Sequence, residues 1–444
     1  MKWDTLLSVQ RFGRESTPTP VTFDQGRTEN QRDFDRIVYS SAFRRLQDKT
    51  QVFPLANTDY IRTRLTHSLE VSSLGRSLGW LVGTGLNSDY GSVVNPKQIS
   101  DIVATACIAH DIGNPPFGHS GEEAISDWFR RQKAGGIKFF DNLSDSQAAD
   151  FLNFEGNAQG FRILTRLQMP ANPGMELTYS TLSSYIKYPC GVLEGNKGKV
   201  GPLSRKKYGC FSSEMDLLHK IANTTGLEQH TGLHDAYKRH PLVFLVEAAD
   251  DICYHIIDLE DAFHQNLVSL NEIIEYLAPI VEDDAAIAKS FKEDKEKVEY
   301  LRARAINRLM AHCVEVFIVN AENILNGTFE SALVDCIPTV NAVKSLGNFE
   351  KQKIYPSPEI LEIEYAGFNV VGYILDEILL KTDYLEKQES KKCKSLLGIF
   401  PCLMGIDMDV YSRIQRVTDW ISGMSDSYAV SVYQRLNGSR LRGL

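Results

Sequence analysis

The 444-residue chain lacks any apolar run close to the eighteen residues that a membrane-crossing helix needs; its longest candidates, such as 241–246 (PLVFLV), have the length of core-helix pieces. The opening residues MKWDTLLSVQRFG carry no apolar stretch of signal-peptide type, so a soluble cytoplasmic protein is expected. Cysteine is sparse. The eight present, at 107, 190, 210, 253, 313, 336, 393 and 402, include no pair with the spacing of a zinc knuckle or a redox CxxC. They are too few to scaffold so long a chain with disulfides, and reduced thiols are expected. Net positive charge is also missing: the balance is −9, which argues against generic coating of nucleic acid. A small polyanion is still compatible, provided a metal and local basic residues offset the global field. Internal repeats and low-complexity blocks are absent, and convincing period-two strands are rare. What is present, 43% hydrophobic and 24% charged residues, is ordinary globular composition in a chain long enough for two or three domains.

Helical periodicity dominates. In 64–81 (RLTHSLEVSSLGRSLGWL), Val71, Leu74, Leu78 and Leu81 recur at three and four, with His67 heading the same stripe. In 241–263, Pro241 suits a first helical position, and Leu242, Leu245, Ala249, Ile252, Ile256, Leu259 and Phe263 form one face. Segments 99–111, 120–131, 148–168, 286–325 and 412–436 read as further helices, so an all-α fold is expected. Two stretches depart from the pattern. Residues 191–209 are glycine-rich and basic, and read as a mobile loop; 187–208 hold six basic residues against Glu194 alone, a local charge of about +5. Such a loop is either a solvated connection or a flap that grips phosphate. Residues 338–369 read as a less regular excursion.

The segment with the most chemistry is 110–122, HDIGNPPFGHSGE. It ends an apolar helical run in which Ile99, Val103 and Ala106 share the face that His110 continues. Gly113 and the paired prolines stop that helix, so adjacent His110 and Asp111 are either a structural pair or, with the last turn opened, able to reach one cation. His67, on its apolar stripe, is either a satisfied core histidine or a ligand. Asp250, Tyr254, Asp258 and Asp261 lie along one side of the 241–263 helix, where buried carboxylates need a cation or hydrogen-bond donors to offset their repulsion. Two imidazoles and two carboxylates make a set that suits a borderline divalent cation and leaves positions open for water and a phosphate oxygen. Ser120 and Glu123 have capping-box spacing, so a structural role suits Glu123.

The whole pattern resembles the HD phosphohydrolase superfamily. The string at 110–122, with RLQDKTQVFP (45–54), TRLTHSLEV (63–71), FEGNAQGFR (154–162) and EAADDICY (247–254), resembles the deoxyguanosine triphosphate triphosphohydrolase family over residues 27–429. The resemblance implies an HD helical core over 27–270, after an N-terminal extension (1–26), and a helical C-terminal region (271–444) that completes the base pocket and oligomer contacts. It implies a metal, Mn²⁺ or Mg²⁺, held by His67, His110, Asp111 and Asp250, and a catalytic pair of His119 and Glu122. The implied reaction is attack of metal-activated water on the α-phosphorus of dGTP, releasing deoxyguanosine and tripolyphosphate, with His119 as nucleophilic or acid–base partner. Arg64, Lys187 and Lys207 match phosphate-binding positions, and Asn157 a polar nucleotide contact. Tyr254 matches the residue that packs where a ribose 2′-hydroxyl would sit, while Asp258 and Gln51 match those that bind the 3′-hydroxyl. Tyr355 and Glu364 match positions that stack on and hydrogen-bond guanine. Homo-oligomers, often hexamers, and stimulation by single-stranded DNA are further implications. The rival readings are a broader dNTP triphosphohydrolase and, from another class, a nucleotide-sensing oligomer, against which the intact His119 and Glu122 speak.

Overall fold

The computed structural model describes residues 1–14, 27–53, 61–169, 174–195, 201–282, 286, 290–405 and 408–440. Among them regular structure is helical, and β pairing is confined to isolated bridges. The fold is all-α. The elements that matter for function are α1 (Arg64–Tyr90), α2 (Pro96–Ala109), α3 (Gly118–Ala134), α4 (Gly156–Arg162), α5 (Met215–Thr225), α6 (Val243–His264), α7 (Asp294–Val319), α8 (Pro358–Leu375), α9 (Val410–Ser422) and α10 (Asp426–Leu436).

The pairing of α1 with α2 sets the frame. Thr63 caps α1 through a reciprocal bond with Thr66, and Asn95 with Pro96 starts α2, so both helices begin where their local chemistry directs. Glycines at 75, 79 and 83 line one face of α1. A β-carbon at Gly79 would stand 2.8 Å from the Ser100 Cα, and one at Gly83 2.7 Å from the Pro96 Cα, so the two backbones approach closer than side chains would permit. The chain runs antiparallel from α1 to α2, which brings His67 near the start of α1 beside His110 at the end of α2. Helix α6 packs across both.

Two apolar clusters hold the molecule together. Val71, Leu78, Ile102, Ile252 and Leu309 belong to one, and Ile125, Phe129, Val371, Ile414 and Val432 to the other. Packing therefore crosses residue 270 in both directions: α7 joins α1 and α6, while α3 joins α8, α9 and α10.

Several local expectations need correction. The 338–369 stretch is largely helical, as Val340–Phe349, a π turn at Glu350–Ile354 and the start of α8; irregular backbone is left only at 338–339 and at 355–357 beside Pro356. The 148–168 helix is split into Asp145–Leu152, α4 and a π turn, and the 412–436 helix breaks at 423–425. Helix α3 starts at Gly118 with Phe117 as its cap residue, so Ser120 lies inside the first turn and forms no capping box; Glu123 pairs with Arg130 on the surface instead. Leu81 is exposed and Val82 buried in its place, because the stripe drifts around a helix of 27 residues. Of the basic segment 191–209, residues 196–200 lie outside the described residues. The flanking parts are tied down by bridges Cys190–Ala236 and Gly191–Cys210.

Candidate active site

His110 sits one residue past α2, where the helix opens. Its Nδ1–H donates to the Cys107 carbonyl at 2.7 Å; since a carbonyl can only accept, Nε2 is the nitrogen left facing the interior, for a proton or an ion. That Nε2 lies 3.4 Å from Asp250 Oδ1 and 3.5 Å from Asp111 Oδ1, and His67 Nε2 lies 3.3 Å from the same Asp250 oxygen. His67 and Asp111 are buried, and His110 and Asp250 are partly so. Burial disfavours the charged form of His110, but the carboxylates of Asp111 and Asp250 override it and push this imidazole up to about 9. Burial would likewise raise both carboxylates; Arg64 and the histidines hold Asp111 low, and His110 and His67 hold Asp250 well below the usual range. The centre thus attracts positive charge where two nitrogens and two carboxylates converge. Its donor set fits a divalent cation, with the His110–carbonyl bond fixing the tautomer that a ligand needs. Asp111 is itself oriented, by Arg64 Nη1 at 2.9 Å and by the Asn114 amide.

The turn after Asp111 carries the second group. Phe117 has left-handed backbone (φ 64°), and its N–H donates to Asp426 Oδ1 at 2.9 Å. This places His119 on the first turn of α3, its side chain 83% exposed and its Nδ1 2.9 Å from Glu122 Oε2. The hydrogen bond to Glu122 raises the His119 pKa above its ordinary value. Glu122 is buried, which would raise it, but His119, Lys207 and the Gly156 N–H at 2.7 Å hold it low. Close packing locks this arrangement: a β-carbon at Gly113 would fall 2.0 Å from the Gly156 carbonyl oxygen.

A cleft of about 520 Å³ joins these groups, within the range of small-molecule sites. Its walls include Gln51, Arg64, Asp111, His119, Glu122, Asn157, Lys207, Asp250, Tyr254, Tyr355 and Glu364. A second cavity of about 180 Å³ shares Asp111, Asn157, Lys207 and Asp250, and adds His110 and Lys187. Lys187 stands 3.5 Å from Glu247, and Lys207 3.0 Å from Glu155. Tyr254 and Tyr355 face each other with ring centroids 5.9 Å apart. Asp258 is the departure. It is 2% exposed, lies outside the cleft lining, and accepts from the Tyr355 hydroxyl at 3.3 Å. Asp261 is also not a site residue; with Glu260 it holds Arg62.

The HD domain family matches residues 64–155. A deoxyguanosinetriphosphate triphosphohydrolase-like protein of Synechocystis is 41% identical over 99% of this chain and 100% of its own length. One of Pseudomonas aeruginosa is 37% identical over 99% of each. A Klebsiella pneumoniae protein named deoxyguanosinetriphosphate triphosphohydrolase is 31% identical over 91% of this chain and 92% of its own. The chain belongs to the deoxyguanosinetriphosphate triphosphohydrolase family of HD-domain phosphohydrolases.

As a member of this hydrolase family, the chain has polar residues at its centre that sequence reasoning passed over. Glu155 shares Lys207 with Glu122, and burial beside that second carboxylate pushes it up to about 7. Lys49 is buried and donates to the Asn114 and Ser422 carbonyls. Asp426 accepts from both Phe117 and Thr50. Glu155 and Lys49 fall inside strings that carried the resemblance and Asp426 within its 27–429 span, yet their roles depend on contacts up to several hundred residues away. No helix among the described residues is long and apolar enough to cross a membrane.

Proposed function

We propose that this chain hydrolyses dGTP, in preference to other nucleotides, to deoxyguanosine and inorganic tripolyphosphate with a divalent metal held by His67, His110, Asp111 and Asp250. The observation that carries this reading is a cleft and a smaller cavity that share Asp111 and Asp250 of the cation-seeking centre and are lined by an imidazole–carboxylate pair and basic side chains. Bound there, the metal supplies polarisation of a phosphate oxygen and a lowered pKa for water. His119, oriented by Glu122, holds or moves a proton, or attacks, at the phosphate; Glu122 stays anionic and supports positive charge on the ring. Arg64, Lys187 and Lys207 bind the triphosphate. Asn157 and Gln51 offer polar contacts to the nucleoside, and Tyr254 excludes a ribose 2′-hydroxyl by shape. Asp258 reaches the sugar only if Tyr355 releases it, and Tyr355, so released, is available to stack on the base. Glu364 accepts from guanine N1–H and N2–H together, a pair that adenine does not offer.

A broader dNTP triphosphohydrolase is the second reading. It is favoured by the exposure of Glu364, the one carboxylate assigned to the base, at the cleft wall. Product analysis with the eight common ribo- and deoxyribonucleoside triphosphates, each with Mg²⁺ and Mn²⁺, separates the two. The first expects tripolyphosphate from dGTP well ahead of dATP, dCTP and dTTP, and little from GTP. Equal turnover of the four deoxynucleotides establishes the second, and release of pyrophosphate or phosphate overturns both.

A further inference from the structure

Away from the cleft, a second set of metal-ligating side chains converges. A hairpin runs from Gln229 to Tyr237, which bridge one another, and closes through the His230 N–H to the Ala236 carbonyl at 2.9 Å. Its return leg carries His234 and Asp235, and α5 presents His219 to them. His219 Nε2 lies 3.2 Å and His234 Nδ1 2.6 Å from the same oxygen, Asp235 Oδ1, and the two rings meet edge to face at 5.2 Å. One candidate ligand atom from each residue lies within 4.8 Å of the others. Ligands at about 2.0–2.1 Å around a tetrahedral ion stand roughly 3.3 Å apart, so a small contraction or opening of this triangle encloses one.

Two features separate this cluster from a solvated charged face. His219 Nδ1 is 2.7 Å from the hydroxyl of Tyr237, a core residue that can accept the ring N–H and so turns Nε2 toward Asp235 as the ligating nitrogen. His234 is also fixed through its backbone, because the Gln229 side-chain amide donates to its carbonyl. Two neutral imidazoles and one carboxylate select a borderline divalent ion over Mg²⁺ or Ca²⁺, and the exposure of His234 leaves room for water to complete the shell.

We propose that His219, His234 and Asp235 form a second metal site, for Zn²⁺ or a similar transition ion, distinct from the HD centre. Such an ion staples the hairpin to α5. The hairpin in turn anchors the segment that follows Lys187: the Tyr237 N–H donates to the Pro189 carbonyl at 2.8 Å and the Gly191 N–H to the Asp235 carbonyl at 3.0 Å. The staple therefore stiffens the base of the basic segment without touching the cleft.

The test is equilibrium dialysis of the full, metal-stripped chain against Zn²⁺. The parent should bind one equivalent more than either His234→Ala or His219→Ala, and Tyr237→Phe should keep that equivalent with affinity weakened about ten- to a hundredfold. His234→Ala serves as the primary variant because its side chain is 84% exposed and its loss leaves the core intact. Turnover of His234→Ala with Mn²⁺ should stay at the parental level. Equal Zn²⁺ stoichiometry in the parent and both histidine variants overturns the proposal, and does so whether or not the chain hydrolyses dGTP.

Discussion

His119 and Glu122 differ in what the fold does to them: one points into the cleft mouth, the other is buried against Gly156. Replacing His119 with alanine removes the proposed proton-handling group and none of the four proposed metal ligands. Turnover should fall by at least about a hundredfold, the usual scale for a positioned acid–base group, with metal content unchanged by elemental analysis. Loss of metal in this variant would place His119 among the ligands. The pair also sets a pH dependence. The bond to Glu122 raises the His119 pKa, so the ring keeps its proton to higher pH than a free imidazole near 6.5. An acidic limb in the kcat–pH profile identifies a base or nucleophile, and an alkaline limb a general acid. In either case Glu122→Gln should move that limb to lower pH, since the neutral amide no longer stabilises the cation. A limb that does not move detaches Glu122 from the ring's titration. The same signs apply to stability. The raised His119 pKa contributes below the ordinary imidazole value and fades as pH rises through the shifted one; the depressed Glu122 pKa contributes above the ordinary carboxylate value and fades as pH falls through its own.

Among elements, the decisive joint is the one between the 110–117 turn and the C-terminal helices. The turn ends in a left-handed Phe117, a conformation that costs a bulky residue energy unless its surroundings hold it. Asp426, at the start of α10, supplies that hold by accepting from Phe117 and Thr50 at 2.9 Å each, while Lys49 donates to Asn114 and to Ser422 at the end of α9. Asp426→Ala leaves two N–H groups without their acceptor, at about 1–3 kcal/mol for each that stays buried. Denaturant unfolding should show that loss, and kcat should drop because the turn no longer aims His119. Asp426→Asn, which keeps one acceptor oxygen, should recover part of both. Destabilisation with unchanged kcat would limit the clamp to a structural role.

For the molecule as a whole, the proposed metal centre is a site where folding leaves buried negative charge in need of a cation. His110 holds a proton up to about pH 9 in the absence of an ion, so proton and metal compete for one place, and metal affinity should rise with pH. Chelation should lower the thermal midpoint, and readdition of Mn²⁺ at a hundred times its Kd should restore about 2.7 kcal/mol. Asp250→Ala, which removes a proposed ligand and a charge, should abolish both the metal-dependent stabilisation and turnover. A midpoint indifferent to chelator in the parent would mean that the four side chains do not hold the ion together.

The helices around the centre were legible in the sequence because each is specified locally: an apolar period of three to four, Thr63 and Asn95 as caps, and Gly113 with two prolines as a stop. His67, His110, Asp111 and Asp250 were legible as residue types on such helices, and the tertiary structure brings them together because the glycine face of α1 lets α2 lie against it. The 338–369 stretch is helical despite prolines at 356 and 358, since a first-turn proline starts a helix as readily as it ends one. What no local pattern holds is a long-range polar contact. Glu155 beside Glu122, Lys49 bridging Asn114 to Ser422, and Asp426 holding Phe117 join residues 33 to 373 positions apart, and Asp258 turns away from the cleft because Tyr355 offers it a hydroxyl. Sequence periodicity determines which face of a helix is buried. Which polar groups meet inside that burial is decided only when the helices pack, because a buried donor or acceptor must take whatever partner the packing brings within about 3 Å.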